Sequence, residues 1–237
     1  MADASNRVEW ERTITLLGRW LPPAPARVLD IGGGPGRYGE WLRGRGYSVV
    51  LLDPVPKHLA QAQARGLDAV LGDARSLPFE DASADAVLLM GPLYHLPSAP
   101  DRLIALREAV RCVRPGGVVV AAAVSRWSKP SLRAAQGRLG EPGTHAYLLR
   151  VLEDGQDLDG GVFYHHDPDE LREELAASGL ADVTLVGVEG PLGAYARFDA
   201  SLADTAIEAA RIAEAKAPHL SLHLLARGVM EGAEDAR

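Results

Sequence analysis

The chain has 237 residues, 47% of them hydrophobic, enough to bury one sizeable α/β core but too few for a separate substrate domain beside it. A net charge of −7, from 25 Lys and Arg against 32 Asp and Glu with no basic run, excludes a protein built to track a phosphate backbone. The single cysteine rules out an intrachain disulfide, the first residues lack a signal-peptide pattern, and no stretch approaches the ~18 unbroken apolar residues of a membrane span, so a soluble cytoplasmic protein without nucleic-acid or membrane partners is expected.

In chain order, Val8, Trp10, Ile14, Leu17 and Trp20 fall near helical spacing before Pro22-Pro23 ends the run, which predicts a leading helix over 6–20. Strands follow at 27–31, 48–52, 69–71, 86–90 and 117–124, alternating with helices at 36–45, 56–65 and 100–113. Cys112 sits on the apolar stripe of the last of these helices and reads as a core thiol. Arg114-Pro115-Gly116-Gly117 reads as a helix stop and a turn into the fifth strand. The alternation pauses over 128–163, where a short helix is expected at 131–138. It resumes with a helix at 169–178, a strand at 183–188, a helix at 202–216 and a strand at 220–227, and 231–237 is expected to fray. Continuous apolar strands alternating with helices predict one domain over 1–237, a mostly parallel sheet covered on both faces.

The first strand runs into Asp30-Ile31-Gly32-Gly33-Gly34-Pro35-Gly36, and Gly34 to Gly39 satisfies G-x-G-x-x-G, the dinucleotide fingerprint when it follows a strand. Glycines there let backbone amides approach an anion at a helix start, which suits a pyrophosphate or the carboxylate of an amino-acid-like ligand. Asp30 separates the two, because a carboxylate before the turn opposes a pyrophosphate and suits an ammonium or sulfonium. The second strand ends in Asp53-Pro54, where ribose hydroxyls are held in such sheets. A third acid, Asp73, follows a short strand in Gly72-Asp73-Ala74-Arg75-Ser76-Leu77-Pro78-Phe79, placed to accept from an adenine amine. An NAD(P)-dependent oxidoreductase is the weaker alternative, since no Tyr-x-x-x-Lys pair occurs in the chain.

With these motifs in this order, the sequence resembles the class I S-adenosylmethionine-dependent methyltransferases, strongly over about 25–127 and loosely beyond. The resemblance implies a Rossmann-like, seven-stranded, mostly parallel sheet with the last strand antiparallel. It implies S-adenosylmethionine as cofactor and S-adenosylhomocysteine as product. It makes Gly32, Gly33 and Gly34 the methionine seat with Asp30 and Tyr38 beside it, Asp53 with Pro54 the ribose site, Asp73 with Ala74 the adenine contact, and Met90 with Gly91 the wall next to the methyl. Family members that methylate nucleic-acid amines carry Asp or Asn, then Pro-Pro and an aromatic, at the end of the fourth strand; here Gly91-Pro92-Leu93-Tyr94 stands there, without that clamp. A small-molecule methyl acceptor is therefore expected, with a non-catalytic S-adenosylmethionine-binding protein as the alternative.

Tyr94 and His95 follow this turn and are the first candidates to touch an acceptor, with His95 as general base. His165 and His166 stand behind them, and the faces of Tyr38, Tyr94 and Trp127 are candidates for cation–π contact with the methyl. His165-His166 is not read as a metal site: adjacent histidines point apart, and Asp167, Pro168 and Glu170 form a capping box for the next helix. No metal is expected. Specificity is expected in 6–20, 128–163 and 191–198.

Overall fold

A computed structural model describes residues 7–157 and 163–232. Its elements run α1(Arg7–Trp20), β1(Arg27–Ile31), α2(Arg37–Arg43), β2(Ser48–Asp53), α3(Pro56–Ala64), β3(Asp68–Leu71), β4(Ala84–Leu89), α4(Pro92–His95), α5(Ala99–Cys112) and β5(Val113–Ser125), then α6(Ser128–Ala135), α7(Thr144–Asp154), β6(Gln156–Asp157), β7(Phe163–His166), α8(Pro168–Ala177), β8(Leu180–Gly187), α9(Gly193–Ala196), α10(Ala203–Ala213) and β9(His223–Met230). Strand order is β3-β2-β1-β4-β5-β7-β6, with β9 pairing β5 and β8. The sheet is mostly parallel with one antiparallel edge, the Rossmann-like arrangement expected. Among the described residues no helix is long and apolar enough to cross a membrane.

The chain separates into two compact units, each discontinuous in sequence. The first, built on 20–122, 172–184 and 227–232, holds the parallel array β3-β2-β1-β4-β5. Its central strands are buried on both faces, which is why their sequences are continuous Val and Leu rather than alternating: Leu29, Ile31, Leu51, Leu52, Leu88 and Leu89 are fully buried. Register pairs Ile31 with Leu52 and Leu89, and Asp53 with Leu71, so the strands end together along one edge. Cys112 is fully buried and its thiol pKa is pushed up by that burial, as a core thiol's should be. The turn expected at 114–117 lies within β5, whose pairing with β4 shifts register between Ala84 and Ala86.

The second unit comprises 7–19, 123–157, 163–171 and 185–226. Here α1 packs Val8 against Ala196, Ala203, Ala206 and Ile207 of α9 and α10. The capping box forms as expected: Asp167 Oδ1 accepts from Asp169 N at 2.9 Å, and Glu170 Oε2 accepts from Asp167 N at 3.4 Å. The stretch 128–157 carries more regular structure than its composition suggests. A helix starts at Ser128 rather than 131, and α7 carries Tyr147, Leu148 and Val151 on one buried face. Two short strands, β6 and β7, are additional to the seven expected. Asn6, residues 158–162 of the expected cap segment and 233–237 of the expected tail lie outside the described residues.

One buried charge fixes the leading helix. Arg12 is 1% exposed, its Nη2 donates to Glu214 Oε2 at 2.5 Å and its Nε to the Val188 carbonyl at 3.3 Å; Arg19 Nη2 reaches the same carboxylate at 2.9 Å. Removing one partner of a buried pair costs more than the pair contributes, because the other charge stays desolvated. Glu214 keeps Arg19, so Arg12→Leu should lower stability in urea titration by about 2–3 kcal/mol, below the range for a fully orphaned charge. An unchanged midpoint would show that α1 is held by its apolar face alone.

Candidate functional site

The common edge of the parallel strands carries a cavity of about 500 Å3. It lies wholly within the first unit and is formed by the turns after β1, β2, β3 and β4. Two of these turns meet backbone to backbone. A Cβ at Gly32, whose φ is +69°, would lie 2.7 Å from the Pro92 ring, and one at Gly91 would lie 2.9 Å from the Gly32 carbonyl oxygen. Gly91 thus leaves room for the β1 turn to close, a role that any side chain at this position would obstruct.

Asp53 is the buried acid of the cavity. Its Oδ2 accepts from Gly34 N at 2.9 Å, while its Oδ1 accepts from Val55 N at 2.9 Å and lies 3.0 Å from His58 Nδ1. These contacts hold the carboxylate rigidly at the tip of β2, and a carboxylate's roughly four lone-pair sites leave it capacity for further donors. Asp73 also lines the cavity but is half exposed. Arg75 holds it through Nη2 at 2.6 Å and Nε at 3.0 Å, and these bonds lower its pKa.

Asp30 behaves differently from both. It is fully buried, does not line the cavity, and neither carboxylate oxygen makes a well-formed hydrogen bond. Gly33 covers it, since a Cβ there would lie 2.6 Å from Asp30 Oδ2. Burial, and secondly the charge of Asp53, push its pKa up to about 7, with the Gly39 amide offsetting a part. The negative charge at the cavity surface therefore comes from Asp53 and Asp73.

Of the other residues singled out in the sequence, Gly32, Gly34, Pro54, Ala74, Gly91, Tyr94 and His95 line the cavity, whereas Gly33, Tyr38 and Met90 do not. Tyr94 donates from its hydroxyl to the Met90 carbonyl at 3.2 Å, and its ring lies 4.8 Å from that of His95. Burial lowers the His95 pKa below its ordinary value, and the charge of Asp53 partly counters this. His165 and His166 belong to the second unit; both are buried, and His166 packs edge-on against Tyr164 at 4.8 Å. Leu52, Val55, His58, Pro92 and Leu96 also line the cavity and were not singled out in the sequence. His58 had a signal: it follows Asp53 by five residues, in the first turn of α3.

Comparison with known proteins bears on the same segment. Residues 29–121 match the family described as "Methyltransferase domain". A demethylmenaquinone methyltransferase of Roseiflexus is 30% identical over 201 residues, covering 76% of this chain and 78% of that one. The chain belongs to the class I S-adenosylmethionine-dependent methyltransferases. An uncharacterized methyltransferase of Mycobacterium tuberculosis is 41% identical over 101 residues, 41% of this chain, and the match spans only 40% of that relative's length. A solved S-adenosylmethionine-dependent methyltransferase of Methanosarcina mazei has the same fold, with a TM-score of 0.62 at 17% identity, covering 92% of this chain and 98% of that one. The family's cofactor is S-adenosylmethionine. The cavity fits it: about 500 Å3 lies within the ~300–1,000 Å3 of small-molecule sites, and the space above Gly34 is open to 4 Å where a Cβ would project.

Asp30 gives a stability signature. Its pKa is raised in the folded chain, so between about pH 4 and pH 7 the folded state keeps a proton that the unfolded state releases, and stability falls as pH rises through that window. Asp30→Asn should therefore stabilise the cofactor-free protein by roughly 1–3 kcal/mol at pH 8 and by almost nothing at pH 4. Equal stability of the two proteins at pH 8 would mean that the carboxylate is solvated after all.

Proposed function

We propose that this protein transfers the methyl group of S-adenosylmethionine to a small-molecule acceptor carrying a hydroxyl or amine. The observation that supports it best is the composition of the cavity at the strand tips: a rigid buried carboxylate, Asp53, and an imidazole, His95, line it together. Gly91 stands where a side-chain clamp for a nucleic-acid amine would stand, and the chain's charge of −7 disfavours a polyanionic acceptor.

In this reading Asp53 accepts from the ribose hydroxyls, Asp73 and Ala74 meet the adenine, and the turn at Gly32 to Gly34 seats the amino-acid tail. Asp30 acts from beneath that turn. Bound there, S-adenosylmethionine supplies a methyl group on a sulfonium, open to in-line attack. The protein's part is alignment of the acceptor at about 3–3.5 Å and exclusion of water. His95 receives the acceptor's proton at a ring nitrogen. Its lowered pKa keeps it neutral at pH 7 and competent to do so. Tyr94, with its hydroxyl tied to the Met90 carbonyl, offers a fixed ring as the neighbouring wall.

Calorimetric titration tests the cofactor. S-adenosylmethionine and S-adenosylhomocysteine should bind, NAD(H) and NADP(H) far more weakly, and Asp53→Ala should weaken the first two by about 1.5–3 kcal/mol with an unchanged circular dichroism spectrum. Tighter binding of a nicotinamide cofactor would overturn the assignment. A methyl-transfer assay over a broad panel of small acceptors then separates an enzyme from a protein that only holds the cofactor.

The base is tested on whichever acceptor turns over. His95→Ala should lower kcat by roughly 10²–10⁴-fold with cofactor affinity nearly intact. The wild-type profile should carry an acidic limb below pH ~6.5 that the variant lacks. A loss near tenfold, mostly in KM, would reduce His95 to a residue that shapes the pocket.

A further inference from the structure

In the second unit, Glu9, Glu189 and His223 each bring a side-chain ligand atom to within 4.8 Å of the other two. They come from three separate places: the first turn of α1, the segment between β8 and α9, and the first residue of β9. No spacing pattern in the sequence announces them. Each is placed by the structure around it. Val188 N donates to the His223 carbonyl at 3.0 Å, which sets Glu189 beside the start of β9. Gly193 leaves room for the Glu189 stem, since a Cβ there would overlap Glu189 Cβ and lie 3.3 Å from its Cγ. Val8, one residue before Glu9, is buried against α9 and α10 and holds the first turn of α1 to the same unit.

Glu189 is 3% exposed and meets His223 twice: its Oε2 accepts from His223 N at 2.9 Å, and its Oε1 is in hydrogen-bond contact with Nδ1 of the ring. That pair is complete with two residues. Glu9, half-buried on a different element, is a third member that the pair does not require. The resulting donor set is two carboxylates and one imidazole. Carboxylate oxygens alone suit magnesium and calcium, whereas an imidazole nitrogen among the donors suits zinc and its first-row neighbours. Two carboxylates balance a divalent ion once the imidazole is neutral. A carboxylate's roughly four lone-pair sites let Glu189 ligate an ion and still accept from the His223 amide. The His223 side chain is 26% exposed, which gives an ion a way in.

We propose that Glu9, Glu189 and His223 form a binding site for a divalent zinc ion, held by three protein ligands with the fourth position left to water. Zinc takes its ligand atoms at about 2.0–2.2 Å, so Glu189 and the His223 ring part slightly to admit it. The ligating ring nitrogen must be neutral, and the proton it gives up passes to solvent as the ion binds. The bound ion joins α1 to the residues flanking the β8 and β9 pair and so ties the leading helix to its unit. The cavity that fits the methyl donor lies in the other unit and contains none of these residues, so the inference stands apart from the methyl-transfer reading.

Calorimetric titration of the metal-free whole chain with zinc chloride tests the site, with magnesium chloride as the contrast. One zinc per chain should bind with a dissociation constant of about 10 μM or tighter, and magnesium should show no binding at about 1 mM. Saturating zinc should raise the melting temperature, because the ion binds the folded chain. Glu9→Gln keeps the size of the side chain and should weaken zinc by about tenfold or more, with the melting temperature of the metal-free protein unchanged. His223→Gln should weaken it at least as much. His219→Gln removes an exposed histidine outside the set and should bind zinc like wild type. No zinc binding at about 100 μM, equal affinity for magnesium, a Glu9→Gln variant that binds zinc like wild type, or loss of binding in His219→Gln would each overturn the proposal.

Discussion

The backbone contact between the turns after β1 and β4 is the constraint on which the candidate site depends. Parallel register already ends the strands along one edge, but register alone leaves the turns free to splay. Gly32 and Gly91 approach so closely that neither tolerates a Cβ, and the Pro92 ring occupies the space that a side chain at 32 would take. Gly32 N donates to the Leu52 carbonyl at 2.7 Å, so the same turn is also tied to β2. Three strand tips are thereby fixed to one another through main-chain atoms. Side chains carried by those tips, Asp53 on one and Tyr94 and His95 on another, inherit that precision.

Electrostatics divides the acids by depth. Asp53 and Asp30 lie at adjacent strand tips, and the charge of Asp53 disfavours ionisation of Asp30. Asp53 is bonded to the Gly34 and Val55 amides and to His58, whereas Asp30 has no comparable set of donors. The repulsion is therefore relieved at Asp30, which takes up a proton near neutrality. A cationic group placed over the glycine turn would shift that balance toward ionisation, so binding of a sulfonium nucleoside with an ammonium tail and deprotonation of Asp30 are linked.

Much of the sheet was legible because periodicity reports burial directly. Continuous apolar strands bounded by Gly, Asp-Pro and Pro-Gly located β1 to β5 within a few residues, and Gly32, Asp53, Asp73 and Gly91 were legible as strand-tip residues. What the sequence could not convey was depth. Asp30 reads as a surface acid because it adjoins a glycine turn, yet the turn folds over it. The stretch 128–163 reads as loop because glycine and charge dominate its composition; α7 is nonetheless buried on one face, and the helical spacing of Tyr147, Leu148 and Val151 is the signal that was available there. Histidines 165 and 166 read as pointing apart, and strand geometry does send them to opposite faces: His165 Nδ1 meets Ser128 Oγ at 3.0 Å, while His166 packs against Tyr164.

Arg102 shows why the site and the core cannot be separated. In the sequence it is one of three arginines of α5, with Arg107 and Arg111. In the fold it is 1% exposed, with Nε and Nη2 on the Glu174 carboxylate of α8 at 2.9 and 2.6 Å. Its Nη1 donates to the Leu96 and Pro97 carbonyls at 3.1 and 3.0 Å, immediately after α4. Those carbonyls close the segment that carries Tyr94 and His95, residues of a short helix too brief to hold itself in water. A planar guanidinium with five donors can satisfy a carboxylate and two carbonyls at once, which an ammonium cannot do in one plane. The buried ion pair is costly to desolvate and returns little net stability. Its use is geometric: it converts the packing of α5 against α8 into a fixed position for the residues that line the cavity.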